Sequence, residues 1–179
     1  MKIKRKALPV WYALYSRARN EKKLHLLLAK QSIESFLPLV RTLKQWSDRK
    51  KWVEEPMIRS YVFVRITERE YFTVLNTPGA VRYVFFEGRP AEIPNWQIEA
   101  LKKAVEVGKD FEISNEQFDP GDRILIAKGP FRGIEGELVE AKGKRKVVVR
   151  IEHTGYNLLL TIPPGYLKNI TTAAQADRS

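Results

Sequence analysis

The chain has 179 residues, 44% of them hydrophobic and 30% charged, with a formal net charge of +11; this is an ordinary globular composition, long enough for one domain or two small ones. It has no cysteine and only two histidines, His25 and His153, far apart in sequence, which excludes disulfides and thiol catalysis and gives a metal or acid/base site nothing to build on. No secretory core follows the basic start Lys2 to Lys6 and no apolar run approaches membrane-spanning length, so a soluble, cytoplasmic protein without membrane contact, cofactor or metal is expected. Val10 to Ser16 reads as a central strand, apolar on both faces, with Trp11, Ala13 and Tyr15 on one and Tyr12 and Leu14 on the other. Asn20 is a candidate N-cap for a helix to Gln31 that carries Leu24, Leu27 and Leu28 on one stripe, with His25 beside it in a structural or surface role. Glu34 to Leu43 is a second strand, broken by Pro38, and it leads into a basic loop holding Arg41, Lys44, Arg49, Lys50 and Lys51 together with Trp46 and Trp52.

Glu54 to Ile66 is the stretch around which the first half is expected to be organised. Its core, Tyr61 to Val64, is β-branched and aromatic without helical spacing, a strand covered on both faces, and Pro56 marks its entrance. Glu68 to Asn76 offers a short helix with Tyr71, Phe72 and Leu75 at helical spacing, closed by the turn Asn76-Thr77-Pro78-Gly79. Val81 to Phe86 is a fourth strand, Glu87 to Pro90 a turn, and Pro94 opens a helix bearing Ile98, Leu101 and Val105 that ends at Gly108. The order β-α-β-β-α-β-α predicts an antiparallel or mixed sheet with helices, close to the ferredoxin-like plan.

Residues 108–118 are polar and aperiodic and read as a linker. Beyond it come short strands at close spacing, Asp122 to Ala127, Gly136 to Ala141, Lys146 to Glu152 and Asn157 to Ile162, the pattern of a small all-β barrel, and residues 171–179 read as a disordered tail. Charge follows the same division: residues 1–107 hold 21 Lys and Arg against 11 Asp and Glu, whereas residues 108–179 hold 11 against 10. A one-sided basic field favours phosphate-rich partners through counterion release, although a charge run alone is also what a merely soluble basic surface presents.

Pro120-Gly121-Asp122-Arg123-Ile124 followed by Lys128-Gly129-Pro130-Phe131-Arg132-Gly133-Ile134-Glu135-Gly136 closely resembles the KOW motif of SH3-like barrels. Upstream, Trp11-Tyr12, the Pro56 to Val64 stretch, the turn Thr77-Pro78-Gly79-Ala80-Val81 and the Pro94 helix occur in the order seen in the N-terminal (NGN) domain of the NusG family of transcription elongation factors. Over residues 10–170 the chain resembles that family, and within it the operon-restricted antiterminators of the RfaH and UpxY kind more than housekeeping members. Where the family commonly has Pro-Leu-Phe-Pro-Gly-Tyr, this chain has Pro56-Met57-Ile58-Arg59-Ser60-Tyr61.

The resemblance implies an α+β chain with an NGN domain at 1–107, a linker at 108–118 and a KOW domain at 119–170. It implies a non-enzymatic elongation and antitermination factor that bridges the RNA polymerase clamp and suppresses pausing and termination, nucleoid-associated through the polymerase. By position Tyr15, Ile58, Tyr61 and Phe63 match the surface for the β′ clamp helices, and Tyr71, Phe72 and Thr73 the segment that meets the β gate loop; the alternation of strand side chains leaves open whether Tyr61 and Phe63 form this patch or the core. Arg17, Arg19, Arg41, Lys44, Arg49, Lys50 and Lys51 are candidates for nontemplate DNA, upstream duplex or nascent RNA, with Trp46 and Trp52 either stacking on unpaired bases or packing a hairpin tip. Phe131, Arg132 and Ile134 are candidates for a protein partner of the KOW domain, with ordinary turn structure the competing account. Ribosomal protein S10 is one such partner in the family, but the segment used for it in housekeeping members reads Ile151-Glu152-His153-Thr154 here. The alternative is a KOW-type RNA- or ribosome-binding protein without polymerase affinity.

Overall fold

The computed structural model describes residues 8–170; the basic start and the expected tail at 171–179 lie outside them. In chain order the first part forms β1 (Val10–Ser16), α1 (Glu21–Lys30), β2 (Glu34–Phe36), β3 (Leu39–Gln45), β4 (Lys50–Pro56), β5 (Tyr61–Ile66), α2 (Tyr71–Leu75), β6 (Ala80–Tyr83), β7 (Phe85–Phe86), β8 (Arg89–Pro90) and β9 (Glu92–Ile93). There follow α3 (Asn95–Val107), β10 (Phe111–Ser114), β11 (Asp122–Ile126), β12 (Glu135–Ala141), β13 (Lys144–Ile151), β14 (Tyr156–Leu160) and β15 (Leu167–Asn169). The chain is α+β, and every strand pairing among the described residues is antiparallel. It divides into two compact units, one running to Asn95 and including Glu152–Thr154, the other comprising Trp96–Ile151 and the chain from Gly155 on.

In the first unit β1 is the hub. It pairs with β5 along one side, from Val10↔Ile66 to Tyr15↔Tyr61, and with β9 and then β6 along the other. The strand order is β2-β5-β1-β6. The stretch expected to organise this half therefore divides: Tyr61–Ile66 is a buried inner strand, as its composition predicts, but Glu54–Pro56 ends a different strand. One face of the sheet presents Leu14, Val62, Val64, Ile66 and Tyr83 to Leu24 and Leu28 of α1 and Val74 of α2. Leu14, Leu24 and Leu28 have no exposed surface, and burying each such side chain contributes roughly 1.5–3 kcal/mol. Asn20 stands at the N-cap of α1, but its side-chain amide donates to the Ala18 carbonyl at 3.1 Å instead of serving the helix N–H groups. His25 is half-buried, its ring Nδ1 lies 2.8 Å from the Ser35 hydroxyl, and burial lowers its pKa.

Proline without an N–H cannot continue a ladder, and at Pro38 the chain leaves the main sheet. The segment read as a basic loop is in fact a regular two-stranded hairpin: β3 and β4 pair from Leu39↔Pro56 to Gln45↔Lys50, closed at the base by Met57 N–H donating to the Pro38 carbonyl at 2.7 Å. The expected strand Val81 to Phe86 is likewise divided, into β6 on the main sheet and β7 in a small hairpin with β8.

In the second unit six strands lie in the order β10-β14-β13-β12-β11-β15. Val147, Val148 and Val149 of β13 and Leu158, Leu159 and Leu160 of β14 are buried, the continuous apolar runs of inner strands. Residues 111–114 of the stretch read as linker are β10, paired from Phe111↔Leu160 to Ser114↔Asn157, and β15 is a strand that the pattern did not reveal. Two glycines permit close backbone approach: an added Cβ would lie 1.9 Å from the Leu138 carbonyl oxygen at Gly121 and 2.6 Å from that of Val148 at Gly136.

Candidate functional site

At the end of β1 the cross-strand register sets Tyr15 between Tyr61 on β5 and Arg82 on β6. The two tyrosine rings meet edge to face, centroids 5.4 Å apart at 86°, and the Arg82 guanidinium lies 5.7 Å from the centre of the Tyr15 ring. Both tyrosines are half-buried and Arg82 is exposed, so the row presents aromatic edges and one cation to solvent. Arg82 was missed by sequence reasoning because only the register brings it to Tyr15.

Two residues expected in the same patch do not reach the surface. Phe63 lies one rung inward, opposite Ala13, with Phe36 stacked on it at 6.4 Å, and Ile58 is enclosed in the turn before β5; both are 0% exposed and belong to the core. The turns at this end of the sheet are tied together by Ser16 N–H donating to the Ser60 carbonyl, Arg17 N–H to that of Gly79, and Ser60 N–H to the buried Glu21 carboxylate at 2.8 Å. Arg17, Arg19 and Arg59 project from these turns and are exposed.

Tyr71, Phe72 and Thr73 lie on the opposite face of the sheet, because Tyr83 pairs with Leu14 and stacks on Tyr71 with ring centres 4.5 Å apart. The short helix α2 is held at both ends. Thr67 donates through its N–H and its hydroxyl to the Glu70 carboxylate at 2.8 and 2.9 Å, and the Thr77 hydroxyl donates to the Thr73 carbonyl at 2.9 Å. The Tyr83 hydroxyl donates to the Tyr71 carbonyl at 3.0 Å, and burial raises the pKa of that phenol far above its usual range. Phe72 is consequently fixed on a rigid turn yet 68% exposed, and Thr73 beside it is exposed, whereas Val74, which was not singled out, is the buried contact.

The hairpin β3–β4 presents Arg41, Arg49, Lys50 and Lys51 to solvent, with Lys44 partly exposed and ion-paired to Glu55, and Trp46 and Trp52 at 54% and 58% exposure. In the second unit the loop after β11 is anchored by Phe131, which is 2% exposed and therefore a core residue, not the partner contact expected of it. The anchoring leaves Arg132 exposed and Ile134 half-buried. Arg150 joins this unit's loops: its guanidinium donates to both Glu137 carboxylate oxygens at 2.9 and 3.0 Å and to the Phe118 carbonyl at 3.0 Å. Glu137 also accepts the Gly121 N–H at 3.2 Å, and hydrogen bonding to Arg150 holds its carboxyl below the usual range.

Among the described residues no group of three or more His, Asp or Glu side chains is placed to hold a metal ion, and no helix is long and apolar enough to cross a membrane. What the geometry offers is binding surfaces: aromatic edges with arginines on one sheet face, an exposed phenylalanine on the other, and a basic, tryptophan-bearing arm.

The chain as a whole is similar in sequence to known proteins. The family described as "Transcription termination factor nusG" matches residues 9–102. The transcription termination/antitermination protein NusG of Streptococcus pyogenes serotype M1 is 26% identical over 149 residues, covering 75% of this chain and 82% of that protein. The transcription elongation factor Spt5 of Acidianus ambivalens is 22% identical over 114 residues, covering 56% of this chain and 75% of its own length. Among solved structures, one of Thermotoga maritima NusG aligns with a TM-score of 0.49 at 19% identity over 90% of this chain and 97% of that one. With the family match spanning more than half of its length, the chain belongs to the NusG family.

Proposed function

We propose that the protein is a transcription elongation and antitermination factor of the specialised RfaH and UpxY kind, which binds RNA polymerase across its clamp and suppresses pausing and termination at selected operons. The observation that carries this reading is the placement of the Tyr15–Tyr61–Arg82 row and the Phe72–Thr73 turn on opposite faces of one rigid sheet. A bridge needs two separate contact surfaces held at a fixed spacing, and here they are joined through packed β1 and β6.

In this mechanism the Tyr15 row seats on the β′ clamp helices and Phe72 with Thr73 meets the β gate loop. A factor that touches both sides of the cleft only when the clamp is closed binds that state more tightly, and so shifts the population away from the open, paused enzyme. Arg17, Arg19 and the basic hairpin contact nontemplate DNA or nascent RNA nearby. Residues 1–107 form the polymerase-binding domain in this reading and residues 119–170 a KOW domain whose Arg132 and Ile134 are offered to a protein partner. The protein acts in the bacterial cytoplasm, on the nucleoid through the polymerase.

The test is a titration against core polymerase on an assembled nucleic-acid scaffold, with pause lifetime read on the same complexes. Tyr15→Ala, which removes one ring of the edge-to-face pair, is expected to weaken binding by about tenfold or more, roughly 1.4 kcal/mol, and to abolish the shortening of pauses. Retained affinity for free RNA without polymerase binding would favour the ribosome- or RNA-binding alternative.

A further inference from the structure

The two faces of the β3–β4 hairpin differ in how well their side chains satisfy one another. On one face Arg41 stands opposite Glu54 and Leu43 opposite Trp52, an ion-compensated rung and an apolar rung of the kind that stabilises a hairpin. On the other, Lys44 stands directly opposite Lys51, a like-charge rung that destabilises the hairpin it belongs to. The Lys44 ammonium pairs with Glu55, further toward the base, which leaves the tip side of this face cationic. Trp46 N–H donates to the Arg49 carbonyl at 2.8 Å to close the tip, and the two-residue period of the strands places Trp46 on the face of Lys44 and Arg49 on that of Lys51. Residues 41–52 hold five Lys or Arg against one acid, Asp48.

We propose that the face bearing Lys44, Trp46, Arg49 and Lys51 is a binding site for single-stranded nucleic acid, with a base stacked on the Trp46 indole and successive phosphates held by the three cations. This deepens the nucleic-acid role given to the hairpin under the proposed function and rests on it. Glu55 offsets part of the Lys44 charge, and a polyanion relieves the repulsion that remains between Lys44 and Lys51. An indole 54% exposed among cations suits an unpaired strand, whose bases have free π-faces, and not a duplex, whose bases are already stacked.

The test uses the full chain, a fluorescein-labelled oligo(dT) of about 12 nucleotides, within the range that one small binding module covers, and a blunt duplex of the same length. Two charge-matched double variants act on opposite faces: Lys44→Gln with Lys51→Gln, and Arg41→Gln with Lys50→Gln. The first is expected to reduce the slope of log affinity against log salt by about 1.4, the value for two phosphate contacts on a single strand, and the second by less than half as much. Trp46→Ala is expected to cost at least about fivefold in affinity and Trp52→Ala less than twofold. Equal losses from the two double variants, tighter binding of the duplex, or no binding of the oligonucleotide by the wild type would each overturn the assignment. No polymerase is present in this assay, so any of these results leaves the polymerase reading, tested through Tyr15→Ala, standing or falling by itself.

Discussion

Gly121→Ala should unfold the second unit while leaving the first intact. The glycine immediately precedes β11, and its position gives a methyl group no room: the new Cβ would lie 1.9 Å from the carbonyl oxygen of Leu138 and 2.8 Å from its carbonyl carbon, backbone atoms of β12. An ordinary carbon–oxygen approach is roughly 3.3 Å, so the two strands must separate by about 1.4 Å. Such a shift breaks the Asp122↔Leu138 end of the ladder and the Gly121 N–H bond to Glu137. Overpacking of this kind costs about 1–3 kcal/mol and each orphaned buried group about 1–3 more, so the loss is roughly 3–5 kcal/mol, comparable with the whole stability of a unit this small. Trp11, Trp46 and Trp52 lie in the first unit and Trp96 in the second, so in a Trp96→Phe background the tryptophan emission follows the first unit. Hydrogen exchange read by mass spectrometry over peptides from 122–126 and 135–151 follows the second. The expected outcome is loss of protection in those peptides with an unchanged tryptophan transition in urea. Gly165→Ala, where nothing lies within 4 Å of the added carbon, is the control. Wild-type protection in Gly121→Ala would refute the steric reasoning.

The remaining predictions follow from burial and charge. Ile58→Ala should lower the urea midpoint of the tryptophan transition by an amount corresponding to about 2–5 kcal/mol, while Phe72→Ala should shift it by no more than about 0.5 kcal/mol, because one side chain is enclosed and the other is 68% exposed. The Glu137 carboxyl is held below its usual range chiefly by its hydrogen bonds to Arg150, so it contributes stability above the pKa it has in the unfolded chain, and this contribution is lost as pH falls through the lower, folded-state pKa. Acid unfolding of the second unit, followed by the same exchange peptides, should therefore lose part of its pH dependence in Glu137→Gln; an unchanged pH profile would refute this role.

Much of the fold was legible because it rests on periodicity and punctuation. β1 and β5 are apolar on both faces and were legible from that, β13 was legible from the close spacing of short strands between turns, and Pro38 marked a break in a strand. The hairpin was hidden because residues 41–52 are nearly all exposed, so no buried face imprinted an alternating apolar pattern on them. β10 escaped notice for a related reason: a short edge strand of four half-buried residues needs little apolar character, and it is defined by its partner β14. At the candidate site, helical spacing marked Tyr71 and Phe72 as one stripe, yet the structure buries Val74 and turns Phe72 outward, since a helix of five residues is oriented by its end contacts more than by its own stripe.

What the sequence left undecided about the aromatic patch is a matter of depth along a strand, and the register resolves it. Tyr61 and Phe63 share a face, since strand side chains alternate, but they stand one rung apart, roughly 6.6 Å along the strand. That rung is the width of a side chain, enough to move a ring from the rim of the sheet to its interior. Phe63 has Ala13 opposite it and Phe36 stacked beside it, and is closed off; Tyr61 has Tyr15 opposite it, at the last rung before the turns, and keeps part of its edge in solvent. Tyrosine at the outer rung and phenylalanine at the inner one fit these environments, because a phenol needs water or a partner for its hydroxyl and a phenyl ring does not. Of the two rings, only the one at the outer rung is therefore accessible to a partner. Arg82 joins the row by the same logic, one strand over from Tyr15, and supplies the charge that a purely aromatic reading of the patch leaves out.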